Sequence, residues 1–459
     1  MLDLVVANGQ VVTEAGALAA DVAIAGGRIE AVGHGLGRAR RTIDAAGKLV
    51  LPGAIDPHVH CQLRVSGTVS ADDFLAGTRA AACGGVTTVI DFAEQKPGMG
   101  LAEAVAARRA EADPQVVVDY GLHCTVGDPD RAVAELPALV AGGVTSFKLF
   151  MPRKEGVLLG DDDLFRLLRA AGRAGGLATV HAENAALIEL LTAEHRAARR
   201  TGPAALAAAH PDFVEVEAVG RAIALAAAAG GPLYVVHVST AAAAAVIASG
   251  RAAGVPVYGE TCPQYLLLDE TRLARRDGHL YTCVPPLRHG HDAAGLWAAL
   301  AEGVLQTLGS DHCPFPAAEK AAARRDFTRL PCGLPGVETL LPLLHSEGVA
   351  AGRLALGRLA SLTAANPARI FGLWPRKGAI APGADADLVV LDPDRRLRLT
   401  PGHLHSRIDY SPYAGRELHG WPVMTIARGE VIVEGGRFVG RPGRGRFLAR
   451  APHADAASP

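Results

Sequence analysis

Gly53-Ala54-Ile55-Asp56-Pro57-His58-Val59-His60 begins as an apolar run and turns polar at its carboxyl end. In an extended chain residues i and i+2 project from one face, so His58 and His60 can converge on a single point. Seven further apolar runs follow, near residues 86–92, 116–124, 145–150, 178–181, 233–237, 255–259 and 305–309. Ala/Leu-rich stretches separate them. One is well marked as a helix: Asp161 stands at an N-cap, and Leu164, Leu167, Leu168 and Ala171 fall at i, i+3, i+4 and i+7. Gly175-Gly176 end it. Eight alternating units over residues 51–365 predict an α/β chain with a (β/α)8 TIM barrel, although the pattern alone also fits a doubly wound sheet.

Outside that region the rhythm differs. Short runs at 4–6, 11–12, 22–24 and 29–32 alternate with turns at Asn8-Gly9 and Gly26-Gly27, which predicts a small antiparallel sheet. Strands return at 386–391, 424–427 and 431–433. Residues 1–50 and 366–440 are therefore read as two parts of one small flanking β-sandwich domain. Residues 441–459 are read as a tail, loose from Arg450 onward.

Composition bounds the function. Lys+Arg number 46 against 47 Asp+Glu, so the chain lacks the positive excess that nucleic-acid or anionic-membrane binding needs. A hydrophobic content of 49% excludes a disordered chain. The 459 residues exceed the ~250–300 over which one core keeps growing, in line with a large barrel plus a smaller module. The longest apolar stretch, 222–236, is broken by Gly230-Gly231-Pro232 before it reaches the ~18 residues of a membrane span. The opening MLDLVVANGQVV has no basic n-region, and the 7 cysteines are scattered without a CxxC. A cytoplasmic location is expected.

The chemistry gathers at strand ends, where barrel enzymes place it. His58 and His60 end the first strand, Lys148 the fourth, His181 the fifth and His237 the sixth, and Asp311 follows the eighth. Any one of these has an ordinary reading as a hydrogen-bonded residue or an N-cap; their recurrence at matching places points to a metal site. Lys148, inside Ser-Phe-Lys-Leu-Phe, is one of six lysines. It reads either as an ion-pair partner of Asp311 or as a ligand after reaction with carbon dioxide. An ammonium has no lone pair for a metal, whereas a carbamate offers two oxygens, and burial favours the neutral amine that forms it. His123 ends the third strand and is given a structural role.

These segments, with Gly67–Phe74, Gly259–Tyr265 and Pro285-Pro286-Leu287-Arg288, resemble the cyclic amidohydrolases, most closely the dihydropyrimidinase/hydantoinase branch. The similarity runs to about Gly443. It implies a metal-dependent barrel, a β-sandwich from both chain ends and a homotetramer. It also implies two zinc ions, one held by His58, His60 and Asp311, the other by His181 and His237, with carbamylated Lys148 (N6-carboxylysine) bridging them. The implied reaction opens a small cyclic ureide or amide: hydroxide from a bridging water attacks the ring carbonyl, Asp311 serves as general base and then acid, and an N-carbamoyl amino acid leaves.

The chain departs from its relatives at several places. Arg153 stands where they carry an oxyanion-binding tyrosine five residues after the lysine. Val284 replaces the serine before the Pro-Pro pair, and Cys332 the asparagine of a Pro-Asn-Gly segment; those substrate contacts are largely made by backbone. Gln62 takes a position that is often acidic in this branch and arginine in dihydroorotases, with Arg64 nearby. Ser310–Pro314 and Ser411–Arg416 also resemble allantoinase, the alternative activity. A dihydroorotase-like enzyme and a non-catalytic assembly protein are further alternatives; the second is disfavoured because all six ligand positions are filled. Arg64 and Arg153 together predict preference for a polar or anionic ring substituent.

Overall fold

The computed structural model describes residues 1–65, 67–152 and 158–453. Eight parallel strands lie side by side in chain order: β1 (Ala54–Asp56), β2 (Val86–Glu94), β3 (Asp119–Thr125), β4 (Ser146–Phe150), β5 (Leu177–His181), β6 (Leu233–Val235), β7 (Val257–Thr261) and β8 (Thr307–Leu308). Parallel neighbours need a crossover, and helices supply it. Strands covered on both faces carry near-continuous apolar runs, and β3 is buried throughout its length. The sheet curls into a nearly closed barrel. Its first and last strands meet at a seam, where Val59 bridges His312 and Asp56 Oδ1 accepts the N–H groups of His58 (3.1 Å) and Ser310 (3.0 Å). The doubly wound alternative is thereby excluded.

The helix Asp161–Arg173 buries Leu164, Leu167, Leu168 and Ala171, the residues its spacing selects. Its N-cap is Gly160, one residue earlier than expected. Asp161, Asp162 and Asp163 instead fill the first turn, where the helix dipole favours carboxylates.

Both chain ends build a separate nine-stranded sheet. Its spine runs from Leu388–Arg398 through Leu49–Pro52 and Leu2–Thr13 to Gly16–Ala25. The pairing of Leu2–Thr13 with Gly16–Ala25 is antiparallel, but Leu2–Thr13 also pairs in parallel with Ala39–Asp44 and with Leu49–Pro52, so the sheet is mixed. Asn8-Gly9, expected as a turn, is a bulge inside one continuous strand. Asn8 takes φ +63° and its side-chain amide donates to Asp44, while a Cβ on Gly9 would meet Val50 at 2.5 Å. Tertiary packing thus overrides the local turn signal.

A buried ion cluster joins barrel and outer sheet. Lys377 Nζ donates to Asp119 (2.7 Å), which begins β3, and to Asp387 (2.6 Å), which precedes Leu388–Arg398; Asp385 lies 3.0 Å away. Arg428 Nε adds a bond to Asp119 (3.1 Å).

The C-terminal segment corrects the expectation of a loose end. Leu448 N–H donates to the Tyr120 carbonyl, Arg450 N–H to Gly143, Ala451 N–H to Gly372 and His453 N–H to Gly175. Arg450 and His453 are buried, and the Arg450 guanidinium donates to the Leu122 carbonyl. A segment that is polar in sequence docks because barrel backbone accepts its N–H groups. Residues 454–459 lie outside the described residues.

Candidate metal centre

Barrel strands deliver their carboxyl ends to one place, and the six predicted residues meet there or close by. His58 Nε2 and His60 Nε2 lie 3.4 and 3.3 Å from Asp311 Oδ1. The rings of His58 and His237 are 5.5 Å apart and those of His181 and His237 4.5 Å apart, so the second pair adjoins the first. Lys148 Nζ sits 5.4 Å from the Phe92 ring and 5.2 Å from the Phe150 ring. It is near enough to all of them that its charge depresses His58, His181 and His237 and helps hold Asp311 ionised.

The local chemistry suits cation binding. Burial above all drives His58 and His237 well below the ordinary histidine value and lowers His181, so these imidazoles are neutral and keep a lone pair. Burial pushes Asp311 the other way, but the hydrogen bond from His60 and the nearby Lys148 charge help keep the carboxylate below its usual value. His237 Nδ1 is buried and has no hydrogen-bond partner among the described residues. His237 (φ +39°), Asp311 (φ +49°) and Gln62 (φ +55°) adopt left-handed backbone, which costs non-glycine residues about 1–3 kcal/mol each and clusters at functional sites. Neutral imidazoles, an ionised carboxylate and an orphaned buried nitrogen are a donor set that fits divalent cations.

Two carboxylates absent from the sequence reading orient the rings. Glu260 Oε1, at the end of β7, lies 2.7 Å from His58 Nδ1, which leaves Nε2 facing Asp311 and His60. The same carboxylate accepts the His237 N–H and the Tyr234 hydroxyl. Glu183 bridges His181 Nε2 (2.7 Å) and His210 Nδ1 (2.9 Å), leaving His181 Nδ1 for the site. Glu183 could have been suspected from its i+2 spacing to His181; Glu260 stands 202 residues from His58. Such partners fix tautomer and orientation. Glu260→Gln keeps an acceptor but loses its charge, and is expected to weaken zinc retention about 10-fold, measured by competition with a chelator.

His123 is buried between Ser146 Oγ and the Pro57 carbonyl, a structural role. Gln62 is held by its N–H bond to the Asp72 carbonyl, and exposed Arg64 stands on a short hairpin with Thr68–Val69. Both line a cleft of about 210 Å³ whose wall includes Phe92, Phe150 and Leu159. Phe92 stacks on His60 at 4.4 Å, so the cleft adjoins the histidines. Val284 and Cys332, both partly buried, pack against an apolar cluster that contains Leu206 and Phe327. Arg153 lies outside the described residues. Cys61 and Cys313 are buried, and burial pushes the Cys61 thiol well up.

Comparison with known proteins agrees with this geometry. The Amidohydrolase family pattern matches residues 49–432. A D-hydantoinase of Geobacillus stearothermophilus is 42% identical over 452 residues, spanning 97% of this chain and 96% of that protein. The crystal structure of dihydropyrimidinase from Brevibacillus agri NCHU1002 superposes with a TM-score of 0.97 at 42% identity, covering 100% of both chains. L-Hydantoinase (dihydropyrimidinase) from Arthrobacter aurescens follows the same fold at TM-score 0.92 and 33% identity, covering 98% of this chain and 100% of that one. With the fold, the strand-end histidines and full-length similarity in agreement, the chain belongs to the amidohydrolase family, in its hydantoinase/dihydropyrimidinase branch.

Proposed function

We propose that the protein hydrolyses the cyclic amide bond of 5-substituted hydantoins or dihydropyrimidines to N-carbamoyl amino acids. The observation that carries this reading is the meeting of His58, His60 and Asp311 with His181, His237 and Lys148 at the carboxyl ends of the strands. His58, His60 and Asp311 would hold one zinc ion and His181 and His237 a second. Carbamylated Lys148 would join them. Such a pair, when bound, supplies Lewis-acid polarisation of the ring carbonyl and a water acidified to a pKa of ~7.

The chain's own groups do the rest. Asp311 takes the proton of the attacking water and returns it to the departing ring nitrogen. Glu260 and Glu183 keep the His58 and His181 rings in register. Phe92, Phe150 and Leu159 pack the ring substituent and exclude water, while Gln62 and Arg64 face its distal end. Backbone at Val284 and Cys332 contacts the ureide, and Arg153 stabilises the oxyanion as a permanent cation. A homotetramer is supported by the helix Ala185–Ala197, which buries none of its residues, and by half-exposed Leu190 and Phe213. No helix among the described residues is long and apolar enough to cross a membrane, and all seven cysteines are free thiols, which supports a cytoplasmic setting.

The test is a kcat/KM comparison of the zinc-loaded protein on dihydrouracil, alkyl and carboxymethyl hydantoins, allantoin and dihydroorotate, repeated after chelation. Ring opening that disappears with the metal is expected, and carboxymethyl hydantoin should exceed the alkyl compounds because of Arg64 and Arg153. A preference for plain alkyl hydantoins would end the arginine assignment. Dominant allantoin turnover would favour the second reading, which the Ser310–Pro314 and Ser411–Arg416 segments support. A folded protein that binds no zinc and opens no ring would favour an assembly role.

A further inference from the structure

Asp72 is fully buried where three segments cross. Its carbonyl accepts the Gln62 N–H (2.7 Å), which holds the loop leaving His58 and His60. Its Oδ2 accepts from His312 Nε2–H (3.0 Å) and from the Ser406 hydroxyl (2.5 Å), and its Oδ1 accepts the Arg407 N–H (2.6 Å). His312 is equally buried, and its Nδ1 accepts the Gly336 N–H (3.1 Å). A neutral imidazole with the proton on Nε2 satisfies both partners, so they fix its tautomer. The His312 main chain is tied as well, its carbonyl accepting the His60 N–H (2.8 Å).

The residue beside this anchored ring is Asp311, whose φ of +49° persists only where the surroundings over-determine it. On its amino side Ser310 is held by Asp56; on its carboxyl side the hold is His312. We infer that Asp72 is a positioning residue that acts through His312 to fix the Asp311 carboxylate against the His58–His60 pair. It touches neither substrate nor ligand atoms itself. Its kinetic consequence rests on the proposed hydrolase reading, whereas its effect on cation binding does not.

Asp72→Asn tests the link. One amide oxygen cannot serve both sides, so the NH2 group confronts either the Arg407 N–H or the His312 N–H. Zinc affinity of the metal-stripped protein, read by chelator competition, should fall about 10–100-fold. With zinc saturating, kcat for a hydantoin should fall by a similar factor while KM stays within about threefold, and circular dichroism should report a folded protein. His312→Leu should reproduce the losses; His312→Gln, which keeps an N–H near the Nε2 position, should recover most of them. The double variant Asp72→Asn/His312→Leu should lose no more than the worse single variant.

Unchanged zinc affinity in Asp72→Asn, or a raised KM with kcat intact, would overturn the inference. If Asp72→Asn does not fold, the contrast between His312→Leu and His312→Gln reads the same link from its other end, and equal behaviour of that pair overturns it. A parent that binds zinc but opens no cyclic ureide would refute the hydrolase reading, and the affinity measurements would still decide the role of Asp72.

Discussion

Lys148→Ala should lower kcat/KM toward a hydantoin by at least about 10³-fold, and an added short-chain carboxylic acid should restore part of the loss. The size follows from the proposed role: losing a bridging anion from a two-cation site would remove charge stabilisation worth several kcal/mol, and about 4 kcal/mol is a factor of 10³. Lys148 is 2% exposed, in register with Thr125 and Thr179 on the neighbouring strands. Carbamate formation needs the uncharged amine, which adds to carbon dioxide and releases one proton as the carbamate forms. Alanine leaves a gap in which a small carboxylate can lie with its oxygens near the lost position. Lys148→Arg retains a cation that cannot be carbamylated and should be as inactive as alanine. Zinc content by elemental analysis and rates across an acid titration check the result. Parent-like turnover by Lys148→Ala without added acid would remove Lys148 from the mechanism.

Lys377→Met should destabilise the fold by about 3–5 kcal/mol, the cost of stripping one partner from a buried ionic cluster. The methionine nearly fills the space, so little of the loss is a cavity. What remains is Asp119, Asp385 and Asp387, all buried, with two guanidinium groups for three carboxylates: Arg428 on Asp119 and Arg376 on Asp385, while Asp387 keeps only the Arg428 main-chain N–H among the described residues. The deficit should shrink as pH falls from about 7.5 to about 5.5, and the direction can be worked out from linkage. In the parent, burial raises Asp385, but Lys377 and Arg376 pull it below its usual value, so its contribution is present above the unfolded pKa and is lost in acid. In the variant the orphaned carboxylates have raised folded pKa values and take up protons on folding, which stabilises the variant at lower pH. Chemical denaturation at the two pH values measures the difference. A loss below about 1 kcal/mol would mean that water reaches the cluster.

Much of the barrel was readable because its strands are covered on both faces and therefore appear as apolar runs closed by glycine or polar residues. The residues that gather at the strand ends were marked for a related reason: a histidine at the end of such a run has few places to point other than the barrel axis. What the residues hid depends on distance along the chain. Glu260 orients His58 from β7, 202 residues further along the chain, and no local spacing signals it. Asn8-Gly9 reads as a turn until the packing of Val50 makes it a bulge. Arg450 looks like surface charge until its main chain finds Gly143 and its guanidinium finds the Leu122 carbonyl. Val284 and Cys332 were marked by resemblance alone, and their side chains pack against the apolar cluster of Leu206 and Phe327.

The docked C-terminal segment and the mixed outer sheet set a timing problem for biosynthesis. A ribosome delivers the strands Leu2–Thr13 and Leu49–Pro52 first, yet Leu49–Pro52 finds its antiparallel neighbour only when Leu388–Arg398 leaves the exit tunnel. The Tyr120 backbone waits longer still, for Arg446 and Leu448. The nascent chain therefore carries an unpaired strand edge and open barrel backbone through most of translation, a form exposed to aggregation and suited to chaperone shielding until synthesis is complete.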